Sequence, residues 1–441
     1  MSRRRKPKNN KPIQARIESL NTECQGVARV NNKVTFVTQS LPGEDVLFEY
    51  TNKHSRYDVG KTVEVITASK NRIEPKCIHF SMCGGCQLQH MSSEYQIQQK
   101  QDILVEQFKN ISKIELTNIQ QIITGESWGY RRKARLGVRF VRKKERVLVG
   151  FRERNGRFLA DLTQCEVLHK SVGYHLLDLA NLIQSLTAYD KIAQIEVAIG
   201  DSNTALVFRN LVELTENDSD KIIKFAKEFN FDIYCQPAGP ESVYALYPED
   251  PKLDYFLTEY NLHFNFEPGM FTQVNYDINH KMIKRTIELL DLKKSDTVLD
   301  LFCGLGNFSL PISLFSKNVV GIEGDLNLVK QATQNAALNE INNTEFFVAN
   351  LMDDFTKLPW FRNKKYTKIL IDPPRTGAEL IVKDIANLEA KIIVYVSCNP
   401  STLARDAGIL VNECGYKLET AGVMDMFPHT AHVESIALFT K

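Results

Sequence analysis

The sequence predicts an α/β protein with a β-rich N-terminal part: a Rossmann-like domain at the C-terminal end, a mixed α/β middle and a small β-barrel near the start. Three observations carry that reading. From residue 296 onward, short apolar strands alternate with helical stretches. Residues 12–69 hold five strand-like runs divided by turn residues, and the region between mixes strands and helices without a repeating order.

Composition sets the bounds. A chain of 441 residues is long enough for two or three domains, and 43% hydrophobic with 24% charged residues is ordinary for a soluble globular protein. The N-terminal MSRRRKPKNNKP is basic with no apolar core behind it, which excludes a secretory signal, and no apolar run reaches the roughly 20 residues of a membrane helix. A cytoplasmic protein is expected. Nine cysteines, an odd number without an export signal, point to metal or catalytic roles rather than disulfides. The net charge of +2 conceals two basic windows: residues 1–16 carry seven Lys/Arg and no acid, and residues 130–157 carry twelve against Glu145 and Glu153. The two windows sum to +17 and leave −15 for the rest, a distribution that fits a polyanionic partner.

In chain order, Ile13–Ile17, Val27–Val30, Val34–Val37, Val46–Tyr50 and Gly60–Val65 read as strands of a barrel of the oligonucleotide-binding kind. This segment resembles a TRAM domain, an RNA-binding barrel appended to RNA-modifying enzymes. Cys77, Cys83 and Cys86 follow with C-x5-C-x2-C spacing around Gly84 and Gly85, a metal-site pattern whose fourth thiolate candidate is Cys165. Spacing alone leaves zinc and a 4Fe–4S cluster both open, and His79 is expected to face solvent. Residues 94–109 read as a helix with Ile97, Leu104 and Phe108 on one face. Gly129–Arg142 alternates, with Tyr130, Ala134, Leu136, Val138 and Phe140 on one side and Arg131, Lys133, Arg135 and Arg139 on the other. The cationic side is expected to hold RNA phosphates, positioning the chain without reading bases. Residues 166–265 read as scaffold, with Glu216–Asp220 and Pro237–Glu241 as loops.

The catalytic half is read strand by strand. Thr297–Leu301, the loop Phe302-Cys303-Gly304-Leu305-Gly306-Asn307-Phe308 and a helix start are followed by a second strand ending in Glu323. An acid at that distance suits a ribose hydroxyl, and the loop suits a nucleoside without a pyrophosphate, closer to S-adenosylmethionine than to NAD. Strand Lys368–Ile371 runs into Asp372-Pro373-Pro374-Arg375, where the prolines stiffen the loop. Strand Ile392–Val396 delivers Ser397-Cys398-Asn399-Pro400, with Asn399 as N-cap and Pro400 opening a helix. Cys398 is thus expected at a strand's carboxyl end beside a helix N-terminus, where a thiol loses its proton more easily. An inert cysteine packed at a strand end is the alternative. Asp425–Glu434 leads into a last strand, Ile436–Phe439. A methyl-donor pocket, a carboxylate and a thiol on one crevice suit methylation at C5 of uracil: a thiolate adding to C6 makes C5 nucleophilic, and a base, here Glu434, removes the C5 proton afterwards.

These motifs resemble those of the bacterial 23S ribosomal RNA (uracil-5-)-methyltransferases of the RlmD (RumA) type, and the match covers nearly the whole chain. It is carried by Cys77, Cys83, Cys86 and Cys165, Phe271-x-Gln273-x-Asn275, Asp372-Pro-Pro-Arg375, Ser397-Cys398-Asn399-Pro400 and His432-Val433-Glu434. The resemblance implies Cys398 as nucleophile and Glu434 as general base, with Gln273, Phe302, Asn307, Glu323, Asn350 and Asp372 at the S-adenosyl-L-methionine and Gln273 and Asp372 also at the uracil. It implies a 4Fe–4S cluster on the four cysteines. It also implies a basic tail 1–11, a TRAM barrel 12–69, a central domain 70–94 and 126–268, and a methyltransferase domain 95–125 and 269–441. The expected partner is 23S ribosomal RNA, with no membrane, no obligate protein partner and a monomeric state. The nearest rival is the same chemistry on another uridine; transfer-RNA relatives lack the cysteine cluster and a second ribosomal branch lacks the barrel. A radical S-adenosylmethionine enzyme would need three cysteines and an open iron, and a non-enzymatic RNA-binding module would leave Cys398, Asp372 and Glu434 without a purpose.

Overall fold

In the computed structural model, which describes residues 11–154 and 156–441, the chain forms three large sheets. Residues 1–10, most of the expected basic tail, lie outside the described residues.

The first sheet has six strands, Ile13–Arg16, Ser19–Leu20, Gly26–Val30, Lys33–Thr38, Asp45–Lys53 and Tyr57–Thr67. Its two end strands, Ile13–Arg16 and Ser19–Leu20, are neighbours along the chain, so the sheet curls back on itself around Ile17, Ala28, Val37, Val46 and Phe48. Alternation sets this inner row, in which Thr35, Asp58 and Gly60 stand among the apolar residues. Glu44, fully buried, accepts both Arg72 nitrogens (2.6 and 2.7 Å) and the amides of Leu41 and Ser69, tying the sheet to the segment that leads into the cysteines.

The middle sheet runs Tyr244–Tyr247, Phe231–Cys235, Thr204–Asn210, Ile192–Ile199, Lys133–Val141, Arg146–Gly150. Helices Leu176–Ser185 and Glu216–Phe229 pack into its core through Leu179, Ile183, Ile222 and Phe225. Glu216–Asp220 is therefore helix rather than the expected loop. Thr215 caps it by accepting the Asp218 amide, and a first turn rich in acids is what a helix N-terminus favours, which made the segment read as polar loop.

The third sheet has seven strands in the order Thr344–Val348, Asn318–Glu323, Thr297–Leu301, Lys368–Ile371, Ile392–Ser397, Glu434–Thr440, Lys417–Met424. The first five are parallel; Glu434–Thr440 runs opposite to both of its neighbours, so Lys417–Met424 points the same way as the five. Both faces are buried: Leu299, Leu301, Ile393 and Tyr395 enter one core, and Val298, Val394, Val396 and Ile436 the other. Helix Ser93–Gln107, far away in sequence, puts Ile97 and Leu104 into the first of these cores, with Phe108 just past its end. Among the described residues no helix is long and apolar enough to cross a membrane.

Candidate active site

The site lies where the parallel strands end. Leaving Thr297–Leu301, the backbone turns through Phe302 (φ +67°), Gly304 (+56°) and Gly306 (+93°), with the Phe302 amide bonded to the Ile322 carbonyl at 2.8 Å. A phenylalanine in the left-handed region is a strained position of the kind that clusters at binding sites. Glu323, at the end of the next strand, accepts the Gly304 amide on one oxygen (3.1 Å) and the Gly324 and Asp325 amides on the other (2.7 and 3.1 Å). The loop and the acid are thus fixed to one another. Asn350 follows Ala349, whose amide bonds to the Glu323 carbonyl, and folds over Met352 and Asp353.

Asn307 is paired reciprocally with buried Asn279 (2.9 and 3.0 Å) and accepts the Tyr255 hydroxyl at 3.0 Å. Tyr255 and Asn279 also line a small pocket with Thr272 and Gln273, so the two partners of Asn307 connect the glycine loop to the Phe271-x-Gln273-x-Asn275 segment. Tyr255 and Asn279 escaped the sequence reading; the only signal was a polar residue on the apolar side of the amphipathic helix Tyr276–Leu290. Asp300 was also missed as a titrating group. Fully buried, it accepts the Ser309 hydroxyl, and burial pushes its carboxyl up to about 7.

Strand Ile392–Ser397 pairs antiparallel with Glu434–Thr440, the last pair being Ser397 with Ser435. Cys398 and Glu434 each lie one residue beyond that pair, Cys398 just past the end of its strand and Glu434 at the start of its own. Asn399 caps helix Pro400–Asn412 through the Ser401 amide (3.1 Å) and holds the Arg375 carbonyl (3.1 Å), which ties the Asp372-Pro-Pro-Arg375 loop to the cysteine. Cys398, Glu434, Asp372 and Arg375 form one electrostatic group. Burial raises the Cys398 thiol to about 11, Glu434 and Asp372 add to that, and Arg375 opposes it. The expected easing of proton loss at the helix N-terminus is therefore outweighed by desolvation and two carboxylates. Burial likewise lifts Asp372 to about 7, and burial together with Asp372 holds Glu434 well above the ordinary carboxyl range. Arg375 donates to the ring of His432, two residues before Glu434.

Away from this crevice, Cys77, Cys83, Cys86 and Cys165 line one cavity, together with Arg131. Gly84 bonds the Arg152 carbonyl at 2.9 Å, and a Cβ there would lie 3.1 Å from that backbone oxygen, a contact that would push the two backbones apart by a few tenths of an ångström. Gly85 donates to the Cys83 sulfur (3.4 Å), and Arg154 holds the Phe80 and Cys86 carbonyls. Among the described residues no three His, Cys, Asp or Glu side chains already converge as a single-ion site.

The cationic strand departs from expectation at two positions. Lys133 is turned under the 268–270 loop, donating to the Pro268 and Met270 carbonyls, and burial lowers its ammonium to about 8. Arg131 donates to the Lys133 carbonyl and borders the cysteine cavity. Alternation set the faces correctly, but a loop distant in sequence covers the strand's start. Arg135 and Arg139 remain exposed.

Strand order, glycine loop and acid-ended second strand define a Rossmann-like S-adenosylmethionine methyltransferase fold. Residues 249–441 match a family profile described as "tRNA (Uracil-5-)-methyltransferase". A Francisella tularensis subsp. holarctica protein named "23S rRNA (uracil(1939)-C(5))-methyltransferase RlmD" is 50% identical over 434 residues, 97% of each chain. A Legionella pneumophila protein of the same name is 50% identical over 443 residues, 100% of each. In fold, the chain resembles a Pyrococcus abyssi tRNA (uracil-54, C5)-methyltransferase solved with S-adenosyl-L-homocysteine, with a TM-score of 0.73, 21% identity, and 97% of this chain and 100% of that one covered. The chain belongs to the RlmD family of 23S rRNA uracil-C5-methyltransferases.

Proposed function

We propose that this enzyme transfers a methyl group from S-adenosyl-L-methionine to C5 of one uridine in 23S ribosomal RNA, through a covalent bond between Cys398 and C6. The observation that carries the reading is Cys398 in one electrostatic group with Glu434, Asp372 and Arg375, directly after the Ser397–Ser435 strand pair. The names of the half-identical relatives support the ribosomal substrate. The profile's transfer-RNA description covers only residues 249–441 and so reflects the shared catalytic half.

The sulfonium supplies an electrophilic methyl; Glu323, Asn307, Phe302, Asn350, Gln273 and Asp372 would hold it. The thiol proton of Cys398 passes to Asp372, which leaves Glu434 unprotonated for the later step. Once the sulfur bonds C6, ring electrons move toward O4 and C5 becomes the nucleophile. After methylation Glu434 takes the C5 proton, the electron pair restores the C5–C6 double bond, and the C6–S bond breaks to return the sulfur to Cys398. A carboxyl held above its usual range is the stronger base for that last step. Gln273 and Asp372 contact the uracil, which must leave its stack to reach the thiol.

We assign phosphate contact to Arg135 and Arg139, which stay exposed, in place of Lys133 under the 268–270 loop and Arg131 at the cysteine cavity, and RNA binding to the curled N-terminal sheet as a TRAM barrel. The four thiols fit a 4Fe–4S cluster: they surround a cavity, a glycine allows the tight turn, and a backbone amide faces one sulfur. Cys77, Cys83, Cys86 and Cys165 would hold it, and it would supply a structural cross-link. The enzyme acts as a cytoplasmic monomer. Mapping 5-methyluridine in ribosomal RNA from cells lacking and regaining the protein tests the reading: one site should vanish and return, and an unchanged map rejects it.

A further inference from the structure

The loop 425–433 joins strand Lys417–Met424 to strand Glu434–Thr440, so its shape sets where Glu434 stands. Within it, Thr430 bonds the Phe427 carbonyl and accepts the His432 amide, and further bonds come from outside the loop. Gln96, fully buried, accepts the His429 amide (2.9 Å), while its nitrogen donates to the Leu88 and Met91 carbonyls (3.1 and 2.7 Å) and lies 3.2 Å from His429 Nδ1. One helical turn on, Lys100 is also fully buried, bonding Asp425 (2.7 Å) and the Phe427 carbonyl (2.9 Å). The Tyr130 hydroxyl donates to the Pro428 carbonyl (3.1 Å). The amides of Gln87 and Leu88, directly after Cys86, donate to the His429 carbonyl (2.8 and 3.0 Å). Trp128 stacks on the His429 ring with centroids 4.0 Å apart.

At the centre of these contacts His429 has φ +65°, a strained backbone that only surrounding bonds maintain. Burying a lysine and an amide to hold a loop is costly unless they are bonded, and here the Gln96 amide uses both its oxygen and its nitrogen while Lys100 pairs its charge with Asp425 and bonds the Phe427 carbonyl. We infer that Gln96 and Lys100 are positioning residues for Glu434, and that through Gln96, Gln87 and Leu88 the segment carrying Cys77, Cys83 and Cys86 is mechanically joined to that base. The inference rests on the reading of Glu434 as the proton acceptor at C5. Its consequence is selective: forming the Cys398–C6 bond depends on the other strand and proceeds normally, whereas releasing it depends on the reach of Glu434.

The test is single-turnover reaction with a uridine-containing ribosomal RNA fragment and S-adenosylmethionine, following adduct formation and adduct decay separately. Gln96→Met keeps side-chain length but removes the hydrogen bonds; Tyr130→Phe removes only the bond to Pro428 and should leave the fold intact. Adduct formation and KM for RNA should stay at parent values. Release should slow by about 10- to 100-fold in Gln96→Met, the scale expected when a reacting group is misplaced by about 1 Å, and less in Tyr130→Phe. If Gln96→Met is insoluble, Tyr130→Phe decides. Parent-rate release, or an equal fall in both steps, overturns the inference. Glu434→Gln is run alongside: if it does not trap the adduct, the base assignment itself has failed, whereas a trap in Glu434→Gln with none in the other two rejects the positioning role alone.

Discussion

Asp300→Asn isolates the electrostatic design beneath the glycine loop. The folded protein keeps the Asp300 proton until about pH 7, whereas a free carboxyl releases it near 3.8. A raised folded value means its stabilising contribution is complete below pH 3.8 and is lost as pH rises toward 7, because the unfolded chain binds fewer protons in that window. At 1.36 kcal/mol per unit, the interval of roughly three units corresponds to about 4 kcal/mol. Asparagine can still accept from Ser309 and has no charge to bury. The assay is urea denaturation of both proteins from pH 4 to pH 8, with midpoint and slope measured at each pH. The stability of Asp300→Asn relative to the parent should rise by about 4 kcal/mol between pH 4 and 8, most of it below pH 7. Asp372 and Glu434 titrate in both proteins and largely cancel in the difference. A difference that stays constant across the range refutes the reasoning.

Three further outcomes are expected. Alkylation of Cys398 by iodoacetamide, read by peptide mass spectrometry, should climb steadily from pH 8 to 10 without levelling, since its thiol titrates at about 11; Glu434→Gln should bring the rise to lower pH, and a plateau by pH 8 in the parent contradicts the assignment. RNA binding should weaken with added salt, and Arg135→Gln and Arg139→Gln should each reduce the salt slope by about one phosphate contact; an unchanged slope removes those residues from the interface. Protein purified without oxygen should carry iron and sulfide, and Cys165→Ser should lose them; zinc in their place would contradict the cluster.

Much of the site was legible because its chemistry sits at strand ends. The apolar runs Ile392–Val396 and Thr297–Leu301 fall where the strands do, and Asn399-Pro400 marks the helix start because capping is local. What was not legible depends on contacts distant in sequence. The burial that lifts Cys398 to about 11 comes from packing, and charges from other strands reinforce it, which no tetrapeptide reports. Lys133 alternates as a surface cation should, until the 268–270 loop folds over it. Gln96 and Lys100 share a helix with Ile97 and Leu104 and look like its solvent side; the loop they hold lies more than 300 residues away.

The most direct measurement is mass spectrometry of the nuclease- and protease-digested Glu434→Gln enzyme after incubation with ribosomal RNA fragment and S-adenosylmethionine. The account predicts a methylated uridine attached through C6 to the sulfur of Cys398, absent in Cys398→Ala. A nucleotide attached to any other residue, or full turnover by Cys398→Ala, contradicts it.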